Sequence, residues 1–201
     1  MNLRKYLIMG SQNCDRDPAF ILELAIKAGI TAFQFREKGA GSLKGNDKLE
    51  LGYKLRKICA HHKIAFFVND DIDLAEPLGA DGIHVGQDDV SVEKLRARFP
   101  KKIIGLSVSN PTEVSNSPIQ MANYLGAGPI FNTSTKPDAK SAVGVEWITT
   151  LRNQFPSIPI VGIGGITTQN AASVINAGAD GVAVISAVTQ ANDITTAVQR
   201  L

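Results

Sequence analysis

Cysteine is scarce. The chain has two, Cys14 and Cys59, with no metal or redox spacing, and that usage suits a reducing compartment. Charge of one sign is not in excess: 21 Lys and Arg face 19 Asp and Glu, a net +2. Neither nucleic acid nor an anionic membrane is therefore expected as a partner, and any anion site must be a local pocket rather than a basic face. Long hydrophobic runs are missing. The apolar stretch within Met1–Met9 is too short for a signal peptide or a membrane span and reads as a first strand, so a cytoplasmic protein is expected. The sequon Asn132-Thr133-Ser134 is then incidental. No Ser/His/Asp or Cys/His set is evident. Gly162-Ile163-Gly164-Gly165 spells neither a dinucleotide fingerprint, since Thr167 holds the sixth position, nor a P-loop.

What is present is a regular alternation. At 201 residues, 44% of them apolar, the chain fits one domain, residues 1–201, with a sizeable core. Short Val/Ile-rich runs read as strands at Tyr6–Met9, Thr31–Phe35, Ile64–Val68, Gly82–Val85, Ile103–Leu106, Ala122–Leu125, Pro159–Gly162 and Gly181–Ile185. Helical patterns separate them, among them a short one at Ile72–Leu78 and a largely helical tail from Ala187 to Arg200. Eight strands alternating with eight helical patterns predict an α/β fold, a closed (β/α)8 TIM barrel; an open doubly wound sheet is the runner-up. Three phrases echo one another before strands: Ala28-Gly29-Ile30-Thr31, Gly79-Ala80-Asp81-Gly82 and Ala177-Gly178-Ala179-Asp180-Gly181. They read as helix C-cap turns.

In a barrel, chemistry gathers where strands end. Strands three and four end in Asn69-Asp70-Asp71 and Gln87-Asp88-Asp89. Any one of these carboxylates could simply cap a helix. Four at adjacent strand ends point instead to a Mg²⁺ site, with Asp70 and Asp89 as ligands and a phosphate-bearing substrate. Gln34, Arg36 and Lys38 alternate after strand two, so all three share one face. The two cations either pair with Glu37 or another carboxylate, or grip a diphosphate, Arg36 by bidentate hydrogen bonds and Lys38 as a point charge. Thr133-Ser134-Thr135-Lys136 is a solvated loop on composition alone, but its hydroxyls and lysine could also close over phosphates. Gly162-Ile163-Gly164-Gly165 with Ile185-Ser186 fits a backbone phosphate site, or merely tight turns. His61 and His62 suit a helix end, and Trp147 suits packing. His84, in mid-strand, reads as a satisfied core residue.

Taken together, Phe33-Gln34-Phe35-Arg36-Glu37-Lys38, Val68-Asn69-Asp70-Asp71, Ala80-Asp81-Gly82-Ile83-His84-Val85-Gly86-Gln87-Asp88-Asp89, Gly128-Pro129-Ile130-Phe131 with Thr135-Lys136, and Gly162-Ile163-Gly164-Gly165-Ile166 resemble the thiamine-phosphate synthase family, in order and over essentially the whole chain. The resemblance implies a TIM-barrel transferase. It would join 4-amino-2-methyl-5-hydroxymethylpyrimidine diphosphate to 4-methyl-5-(2-hydroxyethyl)thiazole phosphate by dissociative substitution. It also implies that Gln34, Arg36, Lys38, Asn69, Ser107 and Lys136 contact the pyrimidine diphosphate, with Arg36, Lys38, Lys136 and Ser107 acting in catalysis and Mg²⁺ on Asp70 and Asp89. Thr133, Ser134, Thr135, Gly165, Ile185 and Ser186 would bind the thiazole phosphate. Asp71 and Asp88 are left as caps or outer groups. Two departures stand out: Ser107-Val108-Ser109-Asn110 where such synthases often read Ser-Ala-His-Thr, and Asn132 in place of a proline. The rivals are a thiazole tautomerase, whose proton transfer wants a histidine where Ser109 stands, and a silent phosphate- or thiamine-binding barrel. A homo-oligomer is compatible with the sequence.

Overall fold

The computed structural model describes residues 1–133, 135 and 140–201. Eight parallel strands close into one barrel in sequence order: β1 (Lys5–Met9), β2 (Ala32–Phe35), β3 (Ala65–Asn69), β4 (Gly82–Val85), β5 (Ile103–Val108), β6 (Tyr124–Ala127), β7 (Ile160–Ile163) and β8 (Gly181–Val184), with β8 pairing back onto β1. This is the closed barrel, not the open sheet. Around it run α1 (Pro18–Ala28), α2 (Gly45–His61), α3 (Val92–Arg98), α4 (Pro111–Asn116), α5 (Glu146–Gln154), α6 (Ala171–Asn176), α7 (Ser186–Thr189) and α8 (Ile194–Gln199). Among the described residues no helix is long and apolar enough to cross a membrane.

Local chemistry sets these bounds. Asp17 accepts the Ala19 amide ahead of Pro18 at the first turn of α1, and Gly29 closes that helix with φ 108°; only glycine takes this left-handed conformation without cost. Ser91 and Asn110 cap α3 and α4. Two helical expectations change. Ile72–Leu78 forms only a 3-10 turn, Ile72–Leu74, because Pro77 brings no amide to a longer helix. The C-terminal tail splits into α7 and α8, with Asp193 capping the second.

Strand periodicity sorts the core into two. Tyr6, Ile8, Phe67, Tyr124, Val161 and Ala183 form one buried cluster inside the barrel. Their strand neighbours Leu7, Met9, Phe66, Val68 and Leu125 join the larger cluster under the helices. Interior aromatics fit because glycine stands opposite. A Cβ on Gly82 would lie 2.6 Å from the Phe67 ring, and one on Gly105 2.2 Å from the Tyr124 ring; both are register partners.

The phrases before strands do more than end helices. Thr31 donates its amide to Lys5 O, and its Oγ1 accepts the Lys5 amide at 3.0 Å. Asp81 does the same with Phe66, Asn123 with Ile104 and Asp180 with Ile160, the side-chain bonds spanning 2.7–2.8 Å. Each of these residues immediately precedes an even-numbered strand and clamps the start of the odd-numbered strand before it. Three clamps also hold an arginine: Arg56 on Asp81, Arg96 on Asn123 and Arg152 on Asp180. Side-chain clamps thus fasten the N-terminal rim and leave the C-terminal strand ends to build a pocket.

Candidate active site

At the C-terminal rim lies a pocket of about 470 Å³. Gln34, Arg36 and Lys38 all line it, as alternation predicts, although β2 itself stops at Phe35. Glu37 points the other way. It accepts the Ser11 amide and hydroxyl and the Leu43 amide at 2.5–2.7 Å, pinning the β1 and β2 loops together. It is therefore not the partner of Arg36, whose guanidinium has no carboxylate partner among the described residues.

Asn69 ends β3, and its Nδ2 is buried without a partner among the described residues. Asp70 follows with φ 57°, a left-handed conformation that Asp tolerates better than most side chains. Its amide donates to His84 O at 2.9 Å, tying the ends of β3 and β4 together. Asp89 Oδ2 accepts the Gly86 amide at 2.8 Å. The two carboxylates share one cation: Lys38 Nζ lies 2.5 Å from Asp70 and 3.9 Å from Asp89. The hydrogen bond to Asp70 pushes the Lys38 pKa up. Burial, and then the adjoining Asp70 carboxylate, push the Asp89 carboxyl above the usual carboxylate range. Facing carboxylates with one cation between two are short of positive charge. Asp71 is engaged by Lys48 at 2.6 Å, and Asp88 lines the pocket.

β5 runs two residues further than the sequence suggests, so Ser107 is still in the strand and faces the pocket with Ser109. Gln87 Nε2 donates to Ser107 O at 2.8 Å. Glu113 accepts the Ser109 amide at 2.7 Å and pairs with Lys140 at the mouth. His84 is the residue that sequence reasoning undervalued. It is buried and bonded, as expected of a core histidine, but it also lines the pocket and sits 2.8 Å from Ser107 Oγ. The available signal was strand parity, which puts His84 on the inward face with Gly82 and Gly86.

Across the pocket stand Thr133, Thr135, Gly164, Gly165, Ile185 and Ser186. Gly164 and Gly165 take φ 94° and 62°, and a Cβ on them would strike Pro129 at 2.4 Å and Asn132 O at 2.4 Å. These glycines let the β7 loop pack flat under the loop after β6. The short helix α7 starts at Ser186, which lines this end of the pocket with Ile185. Ser134 and Lys136 lie outside the described residues. Among the described residues no group of three or more His, Cys, Asp or Glu side chains gathers as a metal cluster; the expected Asp70–Asp89 pair is smaller than that.

The family model described as thiamine monophosphate synthase matches residues 5–188. A thiamine-phosphate synthase of Oceanobacillus iheyensis is 59% identical over 99% of this chain and 97% of its own length. One from Bacillus cereus is 50% identical over 94% of this chain and 86% of its own. Among solved structures, a thiamine phosphate pyrophosphorylase from Pyrococcus furiosus superposes with a TM-score of 0.87 at 35% identity, covering 99% of this chain and 93% of that one. By family model and by relatives alike, the chain belongs to the thiamine monophosphate synthase family.

Proposed function

We propose that this pocket is the active site of a Mg²⁺-dependent transferase that couples 4-amino-2-methyl-5-hydroxymethylpyrimidine diphosphate with 4-methyl-5-(2-hydroxyethyl)thiazole phosphate, releasing thiamine phosphate and diphosphate. One observation carries the reading. Two adjoining carboxylates and two cations, one of them free of any carboxylate among the described residues, converge on one side of a pocket whose other side holds Gly164, Gly165 and the hydroxyl residues Thr133, Thr135 and Ser186. One side suits a metal-bound diphosphate and the other a monophosphate tail.

Asp70 and Asp89 fit a hard divalent cation. The two carboxylates adjoin, burial and then the Asp70 carboxylate push the Asp89 carboxyl up, and the neighbouring exposed Lys38 can yield place to a divalent ion. Bound there, Mg²⁺ would neutralise charge on the departing diphosphate. Arg36 and Lys38 bind the same oxygens, and by family resemblance Lys136 adds a third cation. All three stabilise the leaving group as its bond to the pyrimidine methylene lengthens. Gln34, Asn69 and Ser107 orient the pyrimidine, and the unpartnered Asn69 Nδ2 is a donor ready for it. The electron-rich ring stabilises the methylene cation. The thiazole nitrogen, held close by Thr133, Ser134, Thr135, Gly165, Ile185 and Ser186 on its phosphate tail, then attacks. No protein nucleophile is needed. The whole chain serves as one catalytic domain, and the free thiols of Cys14 and Cys59 suit work in the cytoplasm.

The test is a coupling assay with both substrates, with and without Mg²⁺. Thiamine phosphate is expected only with the metal. No product under any condition overturns the reading. Isomerisation of a thiazole phosphate without coupling would assign tautomerase activity, and binding without turnover a silent barrel.

A further inference from the structure

Beneath the pocket a chain of buried hydrogen bonds runs through the barrel interior. Gln34 Nε2 donates to the Tyr6 hydroxyl at 3.0 Å, Tyr6 and Tyr124 hydroxyls meet at 3.0 Å, Tyr124 meets His84 Nδ1 at 2.9 Å, and His84 Nε2 meets Ser107 Oγ at 2.8 Å. Its five residues come from five different strands, and glycines make the room. A Cβ on Gly105 would collide with the Tyr124 ring, and one on Gly126 would crowd His84 at 3.0 Å.

The direction of this chain is fixed at its far end. Tyr6 oxygen accepts from Gln34, so its own proton must go to Tyr124, the only other partner it has among the described residues. Tyr124 then passes its proton to His84 Nδ1. A neutral His84 that accepts at Nδ1 would then carry its ring proton on Nε2, the nitrogen that meets Ser107 Oγ. Burial pushes both phenol pKa values up, so both keep their protons. Ser107 oxygen has accepted, and its hydroxyl proton is left to point into the pocket.

We propose that Tyr6, Tyr124 and His84 are positioning residues that set the Ser107 hydroxyl as a hydrogen-bond donor toward the pyrimidine substrate. This rests on the function proposed above.

Tyr124→Phe removes one link and keeps the ring. It should lower kcat about tenfold, leaving KM for the thiazole phosphate as in wild type, while the two buried partners it leaves unpaired lower the melting temperature by a few degrees. The same change in a Ser107→Ala background should cost less than about twofold, since its route is already cut. His84→Gln, which keeps an amide donor toward Ser107, should retain more activity than His84→Leu. Losses that multiply independently of Ser107, or equal activity in the two His84 variants, overturn the proposal. If wild-type protein forms no thiamine phosphate, the function falls and takes the proposal with it; if it does and the losses multiply, only the proposal falls. Should Tyr124→Phe not fold, ¹⁵N-histidine spectra of the wild-type protein decide. The resonance pair altered in His84→Gln should show a protonated Nε2 and a bare Nδ1, and the reverse assignment overturns the proposal.

Discussion

At the N-terminal rim Asp81 and Asp180 each accept a strand amide and an arginine. At the C-terminal rim Asp70 and Asp89 face each other and share a single lysine. The residue type is the same and the surroundings differ. A carboxylate whose lone pairs are taken by backbone and guanidinium donors has little left to bind with, and it holds the fold. A carboxylate set beside another carboxylate is costly to the fold and open to a cation. The contrast separates acids that hold the fold from acids left open to a ligand.

The contrast can be broken most sharply at the pocket. Asp70→Asn and Asp89→Asn should each lower Mg²⁺-dependent turnover by about 100-fold or more, with no loss in melting temperature, because each removes one of two facing charges. Asn suits both positions, since it tolerates the left-handed backbone at Asp70. Wild-type turnover in both variants would mean that the two acids bind no metal. Asp180→Ala should show the opposite pattern. Leaving the Ile160 amide and Arg152 unpaired should cost about 1–3 kcal/mol in denaturant unfolding, while turnover per folded molecule stays that of wild type; a drop in turnover at unchanged stability would erase the distinction between the rims. The smallest effect is expected at Thr31→Val, because that clamp has no arginine: about 0.5–1.5 kcal/mol in the same measurement.

Much of this was legible in the chain. Eight apolar runs at strand length gave the barrel, and barrel topology then placed Gln34, Arg36, Lys38, Asn69, Asp70, Asp89 and Ser107 around one pocket. What was not legible depends on partners distant in sequence. The phrase ending in Asp180 reads locally as a helix stop; that its carboxylate holds the Ile160 amide appears only when β7 and β8 lie side by side. His84 reads as core because nothing near it in sequence announces Ser107, 23 residues away, or Tyr124, 40 residues away. The Ile72–Leu74 turn and the break between α7 and α8 were missed because apolar spacing persists where Pro77 and the Asp193 cap interrupt the backbone.

The clamps also bear on how the barrel assembles. They close over 26, 15, 19 and 20 residues at Thr31, Asp81, Asn123 and Asp180. Contacts this short in the chain cost little loop-closure entropy. Each therefore lets two successive strands and their crossover settle as a quarter of the barrel before β8 meets β1. Of the seams without a side-chain clamp, the one between β8 and β1 joins residues furthest apart in the chain, Lys5 and Val182 among them, and is the natural place for the barrel to open first.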